Sequence, residues 1–161
     1  MTATTTHSAV VTFPADTQIL VTRDFNAPRH LVYRAHVEPD LVKRWWAGER
    51  GVVDQAEIDL RVGGRWRYVM TANEGFEVAF HGEYREISEP ERLVNTEIYE
   101  GAPEGVGVVT TTLTESDGRT TLTQLCEYGS REVRDAVIDS GMESGMQESM
   151  DALEQVAVSL R

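Results

Sequence analysis

The residues from Ser140 to Leu160 constrain the fold of this chain more than any others. Met142, Met146, Leu153, Val156 and Leu160 recur at helical spacing, and Glu143, Glu148, Asp151 and Glu154 take most of the remaining surface. Ser140 followed three residues later by Glu143 reads as a capping box at the helix start. About twenty residues at 1.5 Å each make a rod of roughly 30 Å, the width of a small domain. Such a rod needs a broad apolar surface, and nearly everything before it reads as strand. The arrangement expected is one curved sheet gripping one long helix. Arg131 to Asp139 reads as a further helix capped by Ser130. Gly141 and Gly145 place a kink or break near the junction, because glycine costs about 1 kcal/mol in a helix interior.

Taking the chain in order, Met1 to Asp16 is rich in Thr, Ser and Ala and reads as a flexible tail, leaving 17–161 as the folded domain. Gln18 to Phe25 alternates, with Ile19, Val21, Arg23 and Phe25 on one parity, and reads as the first strand. Pro28 opens a short helix to His36, and Pro39 opens a second that carries Leu41, Val42, Trp45 and Trp46. Two adjacent tryptophans cannot point the same way, so one is expected in the core and the other at the edge of a groove.

Ala56 to Arg61 and Arg65 to Met70 read as a hairpin around Val62-Gly63-Gly64. A two-residue loop would mix the faces. A three-residue loop, with Gly64 left-handed, pairs Leu60 with Trp66, Ile58 with Tyr68 and Asp59 with Arg67. Phe76 to Ile87 follows, with Val78, Phe80, Gly82 and Tyr84 inward. Gly82 there signals a bend or a close approach by another group. Leu93 to Tyr99, Val108 to Glu115 and Thr120 to Tyr128 complete the strands, and the threonine-rich faces of the last two leave their orientation open.

Composition narrows the partners. Fifteen Lys and Arg stand against 27 Asp and Glu, a net charge of −12, which repels nucleic acid and anionic membranes. The one cysteine, Cys126, rules out an internal disulfide and fits a reducing compartment. No signal-peptide pattern or bilayer-length apolar run is visible, so a soluble, cytoplasmic protein is expected.

Several runs together resemble a known family. They are Arg23-x-Phe25-x-Ala27-Pro28, Val32-Tyr33-Arg34-Ala35 with Pro39, and Arg44-Trp45-Trp46. Asp59-x-Arg61-Val62-Gly63-Gly64-Arg65-Trp66, Gly82-x-Tyr84-x-Glu86-Ile87 and Pro90-Glu91-Arg92-Leu93-Val94-x-Thr96 continue the series. Ser140-Gly141-Met142-Glu143 with Gly145-Met146 closes it. The ordered set is similar to the activator of heat-shock-protein-90 ATPase homologue-like proteins of the START-like (SRPBCC, birch-pollen-allergen-like) superfamily, over about Ile19 to Leu160. The resemblance implies an α+β helix-grip fold: a curved antiparallel sheet wrapped around a long C-terminal helix, with two short helices after the first strand. It also implies a cavity between sheet and helix for apolar small molecules. Some members of the superfamily are cyclases, and others carry or sequester ligands. The family is named for co-chaperones, which have a further N-terminal domain.

No catalytic constellation emerges from the residues. The histidines at 7, 30, 36 and 81 share no metal-ligand spacing with one another or with Cys126, so neither a metal nor another cofactor is expected. Cys126 without a histidine partner reads as a small hydrophobe. Asp59 with Arg61 and Arg67 is either a carboxylate at a pocket rim or a cross-strand ion pair on a solvated face. Trp46, Trp66, Tyr68, Phe80, Tyr84, Met142 and Met146 form either a cavity lining or plain core. The leading reading is a non-enzymatic binder or carrier of a small apolar or aromatic molecule. A chaperone-interacting module and an enzyme acting on a hydrophobic substrate are the alternatives. Oligomeric state stays open between monomer and homodimer.

Overall fold

The computed structural model describes residues 8–161, so His7 lies outside the described residues. The elements, in chain order, are β1 (Val10–Thr12), β2 (Gln18–Phe25), α1 (Arg29–Val37), α2 (Pro39–Val42), β3 (Gly51–Ile58) and β4 (Arg65–Ala72). They continue with β5 (Glu77–Ser88), β6 (Arg92–Tyr99), β7 (Gly107–Ser116), β8 (Arg119–Tyr128), α3 (Arg131–Asp139) and α4 (Met142–Ser159). The strands form one eight-stranded sheet in the order β1-β2-β8-β7-β6-β5-β4-β3, every neighbouring pair antiparallel. One face of the sheet closes on α1, α3 and α4, which is the helix-grip arrangement.

The β2 alternation sets the core. Ile19, Val21, Arg23 and Phe25 are all buried, and they meet Leu113 and Leu122 of the β7–β8 hairpin, Val32 and Ala35 of α1, and Leu153 and Val156 of α4. Burial along α4 is uneven. Met150, Leu153, Val156 and Ala157 are buried, whereas Met142 and Met146 are only partly so. The C-terminal half of α4 therefore seals one end of the sheet and the N-terminal half spans the other more loosely.

Five details differ from the sequence expectations. The second short helix ends at Val42, so Trp45 and Trp46 follow it in turns and are not on the helix itself. Part of the supposed tail is structured: β1 pairs with β2, and Gln147 of α4 holds Ala9 by both backbone groups, at 3.0 and 2.8 Å. Backbone pairing and one glutamine do this, so the Thr- and Ser-rich composition carries no trace of it.

Ser140 does not cap α4. It ends α3, in helical conformation (φ −71°), with its amide bound to Ala136 O and its hydroxyl donating to Val137 O. An N-cap needs an extended backbone, and the break instead falls at Gly141, whose φ of +83° starts α4. Ser130 does cap α3, accepting from the Val133 amide at 3.2 Å.

The β3–β4 register is offset by two residues: Ile58 faces Trp66 and Ala56 faces Tyr68. The connection runs from Asp59 to Gly64, and Gly63 rather than Gly64 is left-handed. A shift of two leaves every side chain on its expected face, so alternation alone could not detect it. Both glycines bond Tyr84 of β5, Gly63 N to Tyr84 O and Tyr84 N to Gly64 O, which anchors the loop to the sheet.

The shift also separates Asp59 from Arg67. Asp59 pairs with Arg61 at 2.9 Å in solvent, while Arg67 holds Glu100 by two nitrogens at 2.8 and 3.0 Å. His81 Nδ1 lies 2.9 Å from the same Glu100 carboxylate, and the Arg67 guanidinium, with His81 adding to it, holds that carboxyl down at about pKa 2.

Candidate functional site

Between the sheet and the N-terminal half of α4 lies a cavity of about 820 Å³. Its floor follows from strand register, because residues paired across neighbouring strands share a face. One row is Tyr68, Phe80 and Tyr99. The next crosses Trp66 on β4, Gly82 on β5, Glu97 on β6, Gly107 on β7 and Tyr128 on β8. Gly82 stands level with Glu97 because it lies between the His81–Ile98 and Tyr84–Asn95 pairs. The third row is Tyr84, Asn95, Val109 and Cys126. The roof is Met142, Met146 and Met150 of α4 with Val133 and Val137 of α3, and Trp45, Trp46 and His36 close one side.

All seven residues singled out in the sequence line this cavity: Trp46, Trp66, Tyr68, Phe80, Tyr84, Met142 and Met146. Trp46 sets its ring edge to Tyr68 and Phe80 at 5.4 and 5.5 Å, and Trp66 packs on Tyr68 at 4.7 Å. Neither tryptophan of the pair fills the core, as one was expected to: both are half-buried and line this cavity. Trp45 donates to Ala35 O at 2.8 Å and lines the cavity beside Trp46.

The sequence reading missed the polar groups of the cavity, above all Glu97. Its carboxyl has no hydrogen-bond or ion-pair partner among the described residues, and burial alone raises its pKa from 4.5 to about 6. Its residual exposure is toward the cavity that it lines. Alternation along β6 points the wrong way, since Val94, Thr96 and Ile98 look like the inward set. They face the other side of the sheet.

Around Glu97 the neighbours are neutral at ordinary pH. Burial raises the hydroxyls of Tyr68, Tyr84 and Tyr128, and pushes the Cys126 thiol up to about 12. Burial, and the nearby Glu97 charge after it, keep Cys126 a protonated thiol, hydrogen-bonded to Tyr128. His36 is half-buried with its ring turned inward, and the loss of solvent lowers its pKa. Its Nδ1 sits 2.8 Å from Val32 O, leaving Nε2 a buried atom with no partner among the described residues. Among the described residues no group of His, Cys, Asp and Glu gathers as a metal site, and no helix is long and apolar enough to cross a membrane.

The raised Glu97 makes stability depend on pH. Unfolded, the carboxyl releases its proton near 4.5; folded, near 6. Between those values the native state holds the extra proton, so native stability falls as pH rises through that window. At pH above both values the cost is about 2 kcal/mol. Glu97→Gln, which carries no charge, is expected to be more stable than the native chain by about that amount in neutral urea melts. The difference should close below the unfolded value. An equal gap at both ends would show that the carboxyl is solvated.

The sheet, the grip of α4 and the aromatic cavity define a START-like, helix-grip protein of the SRPBCC class. Within that class the chain belongs to the family described as activator of Hsp90 ATPase homolog 1-like protein, whose sequence pattern matches residues 26–157. A crystal structure of a Rhodobacter sphaeroides protein superposes with a TM-score of 0.87 at 26% identity, covering 94% of this chain and 99% of that one. A Mycobacterium smegmatis protein superposes at 0.83 with 25% identity, covering 92% and 96%. For a Chromobacterium violaceum protein the values are 0.78 and 28%, covering 89% and 98%. No curated protein matches the sequence.

Proposed function

We propose that this protein binds or carries a small molecule with an apolar, aromatic-sized body in the cavity between the sheet and α4, without transforming it. The observation that carries the reading is the cavity itself. At about 820 Å³ it falls within the several-hundred to about 1,000 Å³ range of small-molecule sites. Its aromatic walls and three methionines fit apolar ligands of varied shape. Calorimetric or tryptophan-fluorescence titration with a panel of apolar aromatics tests it, with each compound recovered afterwards and checked for chemical change. Saturable binding with unchanged compound is expected; no binding by any of the panel would overturn the reading.

Phe80 distinguishes a wall from a core. It is only partly buried, touching Trp46 on one side and Tyr99, 5.1 Å away, on the other. Phe80→Ala enlarges a space that already exists, so it should cost about 1–2 kcal/mol, below the 3–5 kcal/mol of an enclosed phenylalanine. Ligand affinity should fall as well. A full core-sized loss in denaturant melts would mean that the side chains interdigitate there.

Family membership supports a second reading, a module that acts on a chaperone ATPase. It predicts a change in the chaperone's ATP turnover when this protein is added, and the cavity reading requires none.

A further inference from the structure

We propose that the ligand is an organic cation, a protonated amine on an apolar body, with its ammonium group seated against Glu97 between Trp66 and Tyr128. The inference rests on the cavity-binding reading and specifies its chemistry.

The middle row of the cavity floor carries the argument. Glu97 has a glycine on each side, Gly82 on β5 and Gly107 on β7, and beyond each glycine an aromatic residue. The rings use the space that the glycines leave. A Cβ on Gly82 would lie 2.6 Å from the Trp66 indole nitrogen, and one on Gly107 would lie 2.9 Å from the Tyr128 ring. Two aromatic rings thus cover the glycines that flank one unpartnered carboxylate on either side. An ammonium group there gains a charge-assisted hydrogen bond within aromatic surroundings.

The charges around the cavity agree. Besides Glu97 they are Glu104 in the β6–β7 loop and Glu132 on α3, and no lysine or arginine lines it among the described residues. His36 on α1 is held neutral by burial. Tyr68 on β4 and Cys126 and Tyr128 on β8 keep their protons at ordinary pH. α4 presents only methionines and Ser149. A carboxylate ligand would meet three negative groups and no positive one. An amine, by contrast, supplies the counter-charge that the buried Glu97 lacks, and cations are drawn toward a mouth of this sign.

Three probes of matched size separate the cases: naphthylethylamine, naphthylethanol and naphthylacetate, titrated by calorimetry into the native protein and Glu97→Gln. The amine is expected to bind at least about tenfold more tightly than the alcohol, since bonds to a charged group outweigh neutral ones. The acetate should bind most weakly. In Glu97→Gln the amine's advantage should shrink to near parity while alcohol binding persists, which also shows that the variant is folded. The native protein alone gives an independent readout. Amine binding requires the ionised carboxylate, so its affinity should fall by up to about tenfold per pH unit below the Glu97 pKa of about 6, with the alcohol flat. An alcohol or acetate that binds as well as the amine overturns this inference and leaves the cavity reading standing. So does an amine advantage that survives both Glu97→Gln and low pH. Failure of all three probes to bind overturns both.

Discussion

Arg23→Ala is expected to cost about 3–5 kcal/mol, the usual loss when one partner of a buried ion pair is removed. For a chain of this length that lowers Tm by on the order of 10 °C. Arg23 lies on the inward parity of β2, with its side chain 1% exposed. Its guanidinium reaches α4 twice, at Asp151 (2.8 Å) and Glu154 (3.0 Å), and stacks 5.0 Å over the Phe25 ring. Glu154 also accepts from the Asn26 amide at 2.9 Å, so one carboxylate ties the end of β2 to the helix. Truncation leaves Glu154, 13% exposed, without its counter-charge. Arg23 Nε has no partner among the described residues even in the native fold. The pair is therefore better understood as fixing how α4 sits on the sheet than as a net source of stability. Arg23→Met combined with Glu154→Leu should recover much of the loss, because Asp151 stays solvated. Chemical denaturation of the two variants checks this. A loss below about 1 kcal/mol in Arg23→Ala would place the pair in the range of solvent-exposed bridges.

Arg23 also shows what could be read before the fold was known. Alternation puts it on one parity with the apolar Ile19, Val21 and Phe25, and periodicity gives the long helix, but that parity's burial of a charge and the ion pair itself depend on where the helix lies on the sheet. The same limit appears in the β3–β4 hairpin, where alternation puts Trp66 and Tyr68 on one apolar face with Ile58 while the true register lies two residues away. Faces are legible because burial acts on every second residue; registers and caps depend on single contacts. Ser140 illustrates the second case, since the preceding helix had already claimed its amide. Glu97 is the deepest omission. Nothing in Thr96-Glu97-Ile98 marks a carboxylate directed into an apolar cavity, and local hydrophobicity favours the opposite face. A functional group placed against its own burial preference is where pattern reasoning is expected to fail.

Gly82 is the exception, a site feature that the sequence did announce, and Gly82→Ala should damage fold and site together. The expected cost is about 3 kcal/mol: roughly 1–3 for overpacking, plus about 1 for a lost buried hydrogen bond. The added methyl would overlap the Thr96 carbonyl oxygen and come within 2.6 Å of Trp66 Nε1. Those two atoms are bonded to each other, indole donating to carbonyl at 3.2 Å, and Glu83 N donates to the Thr96 hydroxyl at 2.9 Å. Here the β5–β6 ladder gives way to side-chain bonds, and a glycine lets the indole lie across the strand. With Trp66 only 5% exposed, no space remains for both methyl and ring. The ring must swing away from Thr96, taking with it one wall beside Glu97. Tryptophan emission should therefore shift to the red as stability falls, and amine affinity should fall further than alcohol affinity. Gly129→Ala is the control, because a Cβ there meets nothing within 4 Å. If the two variants melt alike, close packing of Trp66 against Gly82 is not what holds this wall, and the aromatic flank assigned to the Glu97 site fails with it.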